Sequence, residues 1–238
     1  MEPKYLARTA ALLGEDAIGR LARASVFVAG LGGVGGYIVE GLARSGVGEF
    51  WICDSDSVSD SNLNRQIIAR TDNIGVCKTD AVAERILSIN PDAEVRKLDL
   101  FLTPENVPAL LREASPDYIA DAIDTVSAKL ALAVSAREMG IPIISSMGTG
   151  NKLDPTRVCV TDISKTHTCP LARVMRRELK ARGISHLDVV FSDEPAITPR
   201  VEIPGEEGRH PPASAIFVPA CAGLAAASHI VTRLIGRE

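Results

Sequence analysis

The chain has 238 residues, of which 46% are hydrophobic and 24% are charged. This composition supplies enough apolar material for a sizeable core and excludes the disordered and collagen-like classes. Lys and Arg total 26 against 30 Asp and Glu, and the resulting formal net charge of −4 excludes a uniformly basic nucleic-acid coat.

Apolar periodicity predicts strands alternating with helices over the first 150 residues. Short apolar runs indicate the strands, and apolar residues three and four positions apart indicate the helices. The order favours an α/β fold with a Rossmann-like, doubly wound, mostly parallel sheet. The predicted strands are 24–29, 50–53, 94–100, 118–122 and 141–145, and the predicted helices are 37–43, 78–89, one after Pro104, and 127–139.

The pattern changes after Gly150. Strands at 158–163 and 187–192 flank an amphipathic helix at 170–182, which predicts a mixed or antiparallel C-terminal extension of the sheet. The proline-rich stretch 194–212 is expected to be a long loop, either covering a site or inert. A small-residue helix at 220–235 follows, and its alanines permit close packing against a neighbouring element.

A glycine-rich turn follows the first predicted strand. Gly30, Gly32 and Gly35 fit GxGxxG, with Gly33 among them, and Asp54 ends the second strand nineteen positions after Gly35. Such glycines allow close backbone approach to phosphate oxygens, and the acid can accept hydrogen bonds from ribose hydroxyls. The motif alone suggests a nicotinamide dinucleotide; a turn built only for packing is the alternative.

The next segment carries groups that a nicotinamide enzyme does not require. Arg65 and Lys78 can neutralise a triphosphate, while Asn64 and Gln66 offer neutral hydrogen bonds. Asp124 follows the fourth strand, at the sheet edge where open α/β folds bind ligands. Mg²⁺ needs only one or two carboxylates beside substrate phosphates, so Asp124 is a candidate ligand; capping of the next helix is a compatible alternative.

These motifs resemble those of the ubiquitin-activating-enzyme-like (ThiF/MoeB/HesA) superfamily, whose members use ATP to adenylate a carboxylate. The resemblance covers most of residues 24–146. The shared motifs are GLGGVG at 30–35, DSD at 54–56, NLNRQ at 62–66, Gly75 with Lys78, INP at 89–91 and DAID at 121–124.

The resemblance implies roles for individual residues. Gly33 and Asp54 would contact the adenosine end of ATP, Asp124 would organise Mg²⁺, and Arg8 would reach across a homodimer to the partner's triphosphate. An exposed helix charge is the alternative for Arg8. The residues expected to bind ATP are Gly30, Gly32, Gly33, Gly35, Asp54, Asp56, Asn64, Arg65, Gln66, Lys78 and Asp124, and those expected to be catalytic are Arg65, Lys78 and Arg8.

The second half of the chain separates the branches of this superfamily. Segments 160–166, 170–180 and 190–192 resemble the tRNA threonylcarbamoyladenosine dehydratases, which activate the carboxylate of a modified adenosine with ATP and close it into a ring with loss of water. We therefore expect this reaction, with ATP and Mg²⁺ as cofactors and tRNA as partner. The main alternative is an activator of a ubiquitin-like sulfur-carrier protein, which the missing CxxC pairs disfavour. A non-catalytic nucleotide-binding scaffold and a nicotinamide oxidoreductase are more distant alternatives.

The resemblance also implies a domain organisation and an assembly. We expect a single adenylating domain over residues 1–238, with a nucleotide-binding half at 1–150 and a substrate-binding, dimer-forming half at 151–238. A cysteine desulfurase or sulfur-acceptor partner is left open.

A basic stripe lies on the predicted helix 170–182. Arg173, Arg176, Arg177 and Lys180 follow the spacing i, i+3, i+4, i+7, and this segment holds five cations and one acid. The stripe suits contact with RNA phosphates, and a solvated helix face is the alternative.

Cysteine usage and hydropathy give expectations about the cellular compartment. The five cysteines form no CxxC pair, so neither a disulfide framework nor a four-thiolate zinc site is indicated. No run approaches the roughly 18 apolar residues of a membrane span. We expect a cytoplasmic protein without membrane contact. Cys169, in a loop before a helix, and Cys221 are each open to a nucleophilic or a core role.

Overall fold

The computed structural model describes residues 4–201 and 212–236. Across these residues a seven-stranded sheet forms the centre of the molecule. Its strands are β1 (Ser25–Ala29), β2 (Glu49–Cys53), β3 (Glu94–Leu98), β4 (Tyr118–Asp121), β5 (Ile143–Ser146), β6 (Val158–Asp162) and β7 (Asp188–Ser192).

The strand order is β3-β2-β1-β4-β5-β7-β6. Every neighbouring pair is parallel except β6 and β7, which are antiparallel. The predicted doubly wound, mostly parallel sheet with an antiparallel extension is therefore confirmed. Since β7 pairs with β5, the sheet runs without interruption from the first half of the chain into the second. The expected single domain with two functional halves stays a prediction.

Helices pack on both faces of this sheet. Strand β1 is buried along its whole length, and its side chains alternate between two cores. Val26 and Val28 face one core, while Phe27 and Ala29 face the other. The helices are α1 (Ala7–Leu13), α2 (Glu15–Leu21), α3 (Gly35–Arg44), α4 (Lys78–Ile89), α5 (Val107–Ala114), α6 (Val126–Met139), α7 (Pro170–Ala181) and α8 (Phe217–Leu234).

Helix α8 lies against α3 at very close range. A Cβ added at Gly41 of α3 would stand 2.6 Å from Cβ of Ala227, and one added at Gly223 would stand 2.5 Å from the carbonyl oxygen of Val34. The small residues of α8 therefore permit the close packing that was expected of them. By length and composition alone α8 is also a candidate membrane span, with a mean hydropathy of 1.3. Within the protein 44% of this window is buried, and Ala222, Ala226 and Ile230 pack in the core.

The sequence pattern missed the two N-terminal helices. Helix α1 buries none of its residues, so it carries no apolar stripe that periodicity could reveal. Helix α2 follows directly, and Gly14 separates the two with a φ of +94°. The described part of the proline-rich stretch, 194–201 together with Pro212, contains neither strand nor helix; residues 202–211 lie outside the described residues.

Candidate active site

A cavity of about 440 Å³ opens at the carboxyl edge of the parallel strands. It lies where β1 meets β4, which is the point at which the strand order reverses: β2 and β3 lie to one side, β5 and β7 to the other. Ligands of open α/β sheets bind at such a switch point, and the volume suits a small-molecule site.

The cavity brings together nine of the eleven residues expected to bind ATP. The two others, Gly35 and Asn64, lie outside its lining, and so does Arg8, which is exposed on α1. The nine are Gly30, Gly32, Gly33, Asp54, Asp56, Arg65, Gln66, Lys78 and Asp124.

The glycine turn between β1 and α3 requires glycine for two different reasons. Gly30 has a φ of +84°, and a Cβ there would lie 2.9 Å from the carbonyl group of Ala122. A Cβ on Gly35 would overlap the carbonyl oxygen of Gly30, so only a residue without a side chain fits at this position. Helix α3 then begins without a side-chain cap. The N–H groups of Gly36 and Tyr37 are bonded to the carbonyl oxygens of Gly32 and Val34. The backbone N–H groups of residues 32–35, just before them, donate to no backbone carbonyl among the described residues, so these are the groups available to an anion, as in phosphate-binding turns.

Asp54 and Lys78 are linked at the floor of the cavity. Asp54 accepts a hydrogen bond from the backbone N–H of Leu31 (2.7 Å), which ties the glycine turn to the end of β2. The ammonium group of Lys78 lies 2.7 Å from Asp56 and 3.6 Å from Asp54, and its side chain is only 6% exposed. A buried cation held by two carboxylates can transfer its hydrogen bonds to a phosphate oxygen without moving far.

Arg65 is held at the cavity by its own segment. Its Nη1 donates to the carbonyl oxygen of Ser61 (2.8 Å) and to Oδ1 of Asn64 (2.9 Å). Asn64 in turn donates to the carbonyl oxygen of Ser214 (2.9 Å). Asn64 thus holds Arg65 in place, and its expected contact with ATP stays a prediction. Asn62 lines the cavity instead.

Gln66 supplies a test of whether a ligand fits this cavity. The residue is 6% exposed, and its Oε1 has no hydrogen-bond partner among the described residues. It lies beside Gly32, where an added Cβ would come within 3.8 Å of Nε2. Buried polar atoms are nearly always paired, so an unpaired amide oxygen beside a phosphate-type turn fits a bound polar ligand. The cationic donors that line the same cavity, Arg65 and Lys78, fit the phosphates of a nucleotide.

Asp124 is exposed in the cavity wall, and among the described residues it accepts one hydrogen bond, a long one from the hydroxyl of Thr125 (3.5 Å). Thr125 is the N-cap position of α6, and no side chain caps that helix, so the capping alternative for Asp124 does not hold. The described residues contain no group of three His, Cys, Asp or Glu side chains that could bind a metal. Of the carboxylates that line the cavity, Asp54 and Asp56 pair with Lys78, and Asp124 forms no salt bridge among the described residues.

Sequence reasoning missed several residues that line the cavity. Phe101 and Thr149 follow β3 and β5, and the rule that ligands bind at the carboxyl ends of parallel strands could have found them. Ser214 and Pro219 come from the far end of the chain, and no local pattern indicates them. The site therefore also uses residues of the C-terminal half.

Two of the cysteines, Cys53 and Cys169, are unsuited to nucleophilic chemistry. Burial, together with the charges of Asp54 and Asp99, raises the pKa of the Cys53 thiol to about 12, so it is protonated at neutral pH. Cys169 is 3% exposed and packs in a hydrophobic core, which favours its structural alternative. Cys221 is half-buried, with Sγ 3.5 Å from the carbonyl oxygen of Pro155.

The basic stripe on α7 is smaller than expected. Arg176 turns back and donates from Nη1 to the carbonyl oxygen (2.8 Å) and the hydroxyl (2.6 Å) of Thr166. The guanidinium group of Arg176 is therefore bonded to Thr166, a buried residue, and the expected contact of this stripe with tRNA stays a prediction. Arg173, Arg177 and Lys180 are exposed.

Comparisons with known proteins agree with this geometry. The model of the ThiF family matches residues 6–238. The chain is 41% identical over 233 residues to the tRNA threonylcarbamoyladenosine dehydratase of Bacillus subtilis (strain 168), covering 94% of this chain and 91% of that protein. It is 42% identical over 200 residues to the protein of that name from Escherichia coli (strain K12), covering 81% and 74%.

A solved structure shows the same fold. The crystal structure of the E. coli tRNA N6-threonylcarbamoyladenosine dehydratase, TcdA, in complex with ATP superimposes with a TM-score of 0.88 at 38% identity, covering 98% of this chain and 94% of that one. The resemblance of the motifs to the adenylating superfamily is thereby confirmed. This chain belongs to the ThiF family.

Proposed function

We propose that this protein is an ATP-dependent dehydratase that adenylates the carboxylate of threonylcarbamoyladenosine in tRNA and allows its cyclisation. The observation that carries this conclusion is the cavity at the switch point, which gathers the glycine turn, Asp54, Arg65 and Lys78. Two relatives of this name align with most of the chain, and one solved relative of that function holds ATP.

The chemistry follows from what the cavity offers. A substrate carboxylate attacks the α-phosphorus of ATP, the bond from that phosphorus to the bridging oxygen breaks, and pyrophosphate leaves with that oxygen. Lys78 and Arg65 carry the positive charge that stabilises the negative charge on the phosphates. In the acyl adenylate the acyl carbon is electrophilic, so a nucleophile within the same nucleoside displaces AMP and closes the ring. The substrate loses one water in total, and proximity supplies much of the acceleration.

Mg²⁺ is the cofactor we propose beside ATP. Asp124 would hold it together with phosphate oxygens, because a single carboxylate suffices when phosphates supply the remaining ligands. Bound there, the ion would neutralise charge on the leaving pyrophosphate. In support, Asp124 faces the cavity and forms no salt bridge within the described residues.

A homodimer is the assembly we propose. Arg8 lies on α1 outside the cavity of its own chain, so it can serve catalysis only at the site of a partner. Leu12 stands one helical turn further on the same face and is 74% exposed. An exposed leucine beside an arginine is the composition expected of an interface core with an anchoring cation.

The tRNA would contact Arg173, Arg177 and Lys180 through its phosphates. A cytoplasmic location is proposed from the five free thiols, which suit a reducing compartment. The desulfurase or sulfur-acceptor partner stays a prediction. Cys77 and Cys159 are the thiols on the described surface that such a partner would reach.

The test is mass spectrometry of nucleosides from tRNA that contains threonylcarbamoyladenosine, after incubation with the protein and Mg-ATP. We expect loss of one water that depends on ATP. An unchanged nucleoside would contradict the proposal. The sulfur-carrier alternative predicts instead ATP–pyrophosphate exchange that requires a small protein ending in Gly-Gly.

A further inference from the structure

A fully buried ion pair lies directly behind the candidate active site. It joins Lys129 of α6 to Asp121 at the end of β4, with Nζ and Oδ2 2.9 Å apart and side chains 0% and 1% exposed. Neither residue lines the cavity. The pair therefore cannot touch a ligand, and any influence it has on the reaction passes through the residues it holds.

Every hydrogen-bonding group of this pair is used. Besides Asp121, the ammonium group of Lys129 donates to the carbonyl oxygens of Ile123 (3.0 Å) and Ser146 (2.9 Å), which accounts for its three N–H bonds. Oδ2 of Asp121 also accepts from the hydroxyl of Ser145 (2.6 Å), and Oδ1 accepts from the backbone N–H of Ile123 (3.3 Å). The network is complete and joins the ends of two strands.

The network sits where pairing between β4 and β5 stops. The last paired residues of these strands are Asp121 and Ser145. Beyond them the backbone N–H of Ala122 donates to the carbonyl oxygen of Ala29 in β1, and that of Met147 donates to the carbonyl oxygen of Val190 in β7. Each strand therefore bonds there to its other neighbour. Two backbone carbonyls are left facing the gap between the strands, and buried carbonyls require donors. Lys129 supplies both donors from behind.

A lysine at this place is not explained by stability alone. It is the fourth residue of α6, near the N-terminal end where the helix dipole disfavours a cation. A buried ion pair also stabilises a fold little compared with well-packed apolar side chains of similar size. The contacts of Lys129 explain its presence. It holds the carbonyl group of Ile123, which directly precedes Asp124, and the carbonyl group of Ser146, which precedes the segment that leads to Thr149.

We propose that Lys129 and Asp121 are positioning residues that fix the two loops carrying Asp124 and Thr149 in the cavity wall. This inference rests on the function proposed above, since its kinetic readout is the dehydration of tRNA. Its structural readout is independent of that function.

The experiment compares K129M with the double variant D121N/K129M. In K129M the carboxylate of Asp121 is left buried without its cation, so we expect a lower midpoint of thermal unfolding. The double variant removes both charges and should regain part of that midpoint, but not all of it, because the carbonyls of Ile123 and Ser146 stay without their donor in both variants. In both variants we expect kcat for dehydration to fall about 100-fold, because displacements of about 1 Å in a reactive geometry cost this much.

Hydrogen exchange provides the readout that needs no activity. In both variants the amides of residues 122–126 and 147–150 should exchange at least about tenfold faster than in the parent protein, because the carbonyls on either side of the gap have lost their shared donor. The matched control is E40Q, which breaks an ion pair between α3 and α4 away from the cavity. It should lower the unfolding midpoint while kcat and the exchange of both loops stay unchanged.

Three outcomes would overturn the inference. The first is unchanged loop exchange in either variant, whatever the activity. The second is a double variant that regains both its unfolding midpoint and its kcat, which would show a purely structural role. The third is full kcat in K129M. A parent protein that dehydrates no tRNA contradicts the proposed function instead, and the exchange measurement still decides on the pair.

Discussion

The side-chain amide of Asn64 donates a hydrogen bond to the carbonyl oxygen of Ser214, 150 residues further along the chain, at a distance of 2.9 Å. The same amide accepts from Arg65 (2.9 Å). Asn64 therefore connects a candidate catalytic cation to the segment that leads into α8, and Ser214 itself lines the cavity.

The first prediction concerns N64A. Removing the amide leaves Arg65 with only its contact to the backbone of Ser61, so we expect kcat to fall about tenfold, equivalent to one hydrogen bond to a charged group. Steady-state dehydration kinetics would measure this. The control is S61A, which keeps the backbone acceptor and should stay within about twofold of the parent. An N64A protein with unaltered kcat would contradict the positioning role.

The second prediction concerns R65A. Because its guanidinium group is expected to stabilise charge on the triphosphate, we expect kcat to fall about 100- to 1000-fold, the usual cost of losing one such donor. The fold should remain intact, since the hydrogen bonds of this side chain run to Ser61 and Asn64 of its own loop. R70A is a matched control, as Arg70 is exposed and pairs with Asp72 outside the cavity. Retained turnover in R65A would remove Arg65 from the catalytic set.

The sheet and the nucleotide edge of the site could be predicted because their signals are local. An apolar strand, a glycine turn and an acid at fixed spacing specify β1, α3 and Asp54 without reference to the rest of the chain. The contribution of Ser214 and Pro219 could not be predicted in this way, because it depends on where α8 packs.

The buried cations show a second limit of sequence patterns. In the sequence Lys129 and Arg176 look like ordinary surface charges on helices, yet Lys129 is fully buried behind the cavity and Arg176 is bonded to the buried Thr166. Their roles depend on backbone carbonyls that lack partners only in the folded chain. Helix spacing alone therefore overestimated the basic surface of α7.

The third prediction concerns thiol reactivity. With a pKa of about 12, the Cys53 thiol has almost no thiolate at pH 8, and Cys169 is buried, so neither should react with iodoacetamide. Cys77 is exposed and should be alkylated first. Peptide mass spectrometry after timed labelling measures the order. In denaturant all the thiols should react, and rapid labelling of Cys53 in the folded protein would contradict the burial described for it.

The fourth prediction concerns tRNA binding. Each exposed cation that contacts a phosphate releases about one counterion. The triple variant R173A/R177A/K180A should therefore lower the slope of log Kd against log salt concentration by up to about 3. R176A is the informative comparison, because its guanidinium group is bonded to Thr166. It should leave the slope unchanged and lower the unfolding midpoint instead. An unchanged slope in the triple variant would place the tRNA elsewhere.

The fifth prediction concerns the stability of the α3–α4 contact against pH. Burial alone would raise the pKa of Glu40, but hydrogen bonds from Arg85 and Arg44 outweigh it and hold the pKa below the ordinary value of 4.5. A carboxyl group with a lowered pKa stabilises the fold above its unfolded-state pKa, and that contribution is lost as the pH falls through its folded-state pKa.

The variant E40Q should therefore unfold with a free energy lower by about 1–2 kcal/mol at pH 7, a modest value because both arginines are partly exposed. The difference from the parent should persist down to about pH 5 and shrink below pH 4.5, where Glu40 of the parent becomes protonated as well. Urea unfolding at a series of pH values measures both curves. A difference that stays constant to pH 3 would mean that Glu40 stabilises the helices by packing and not by its charge.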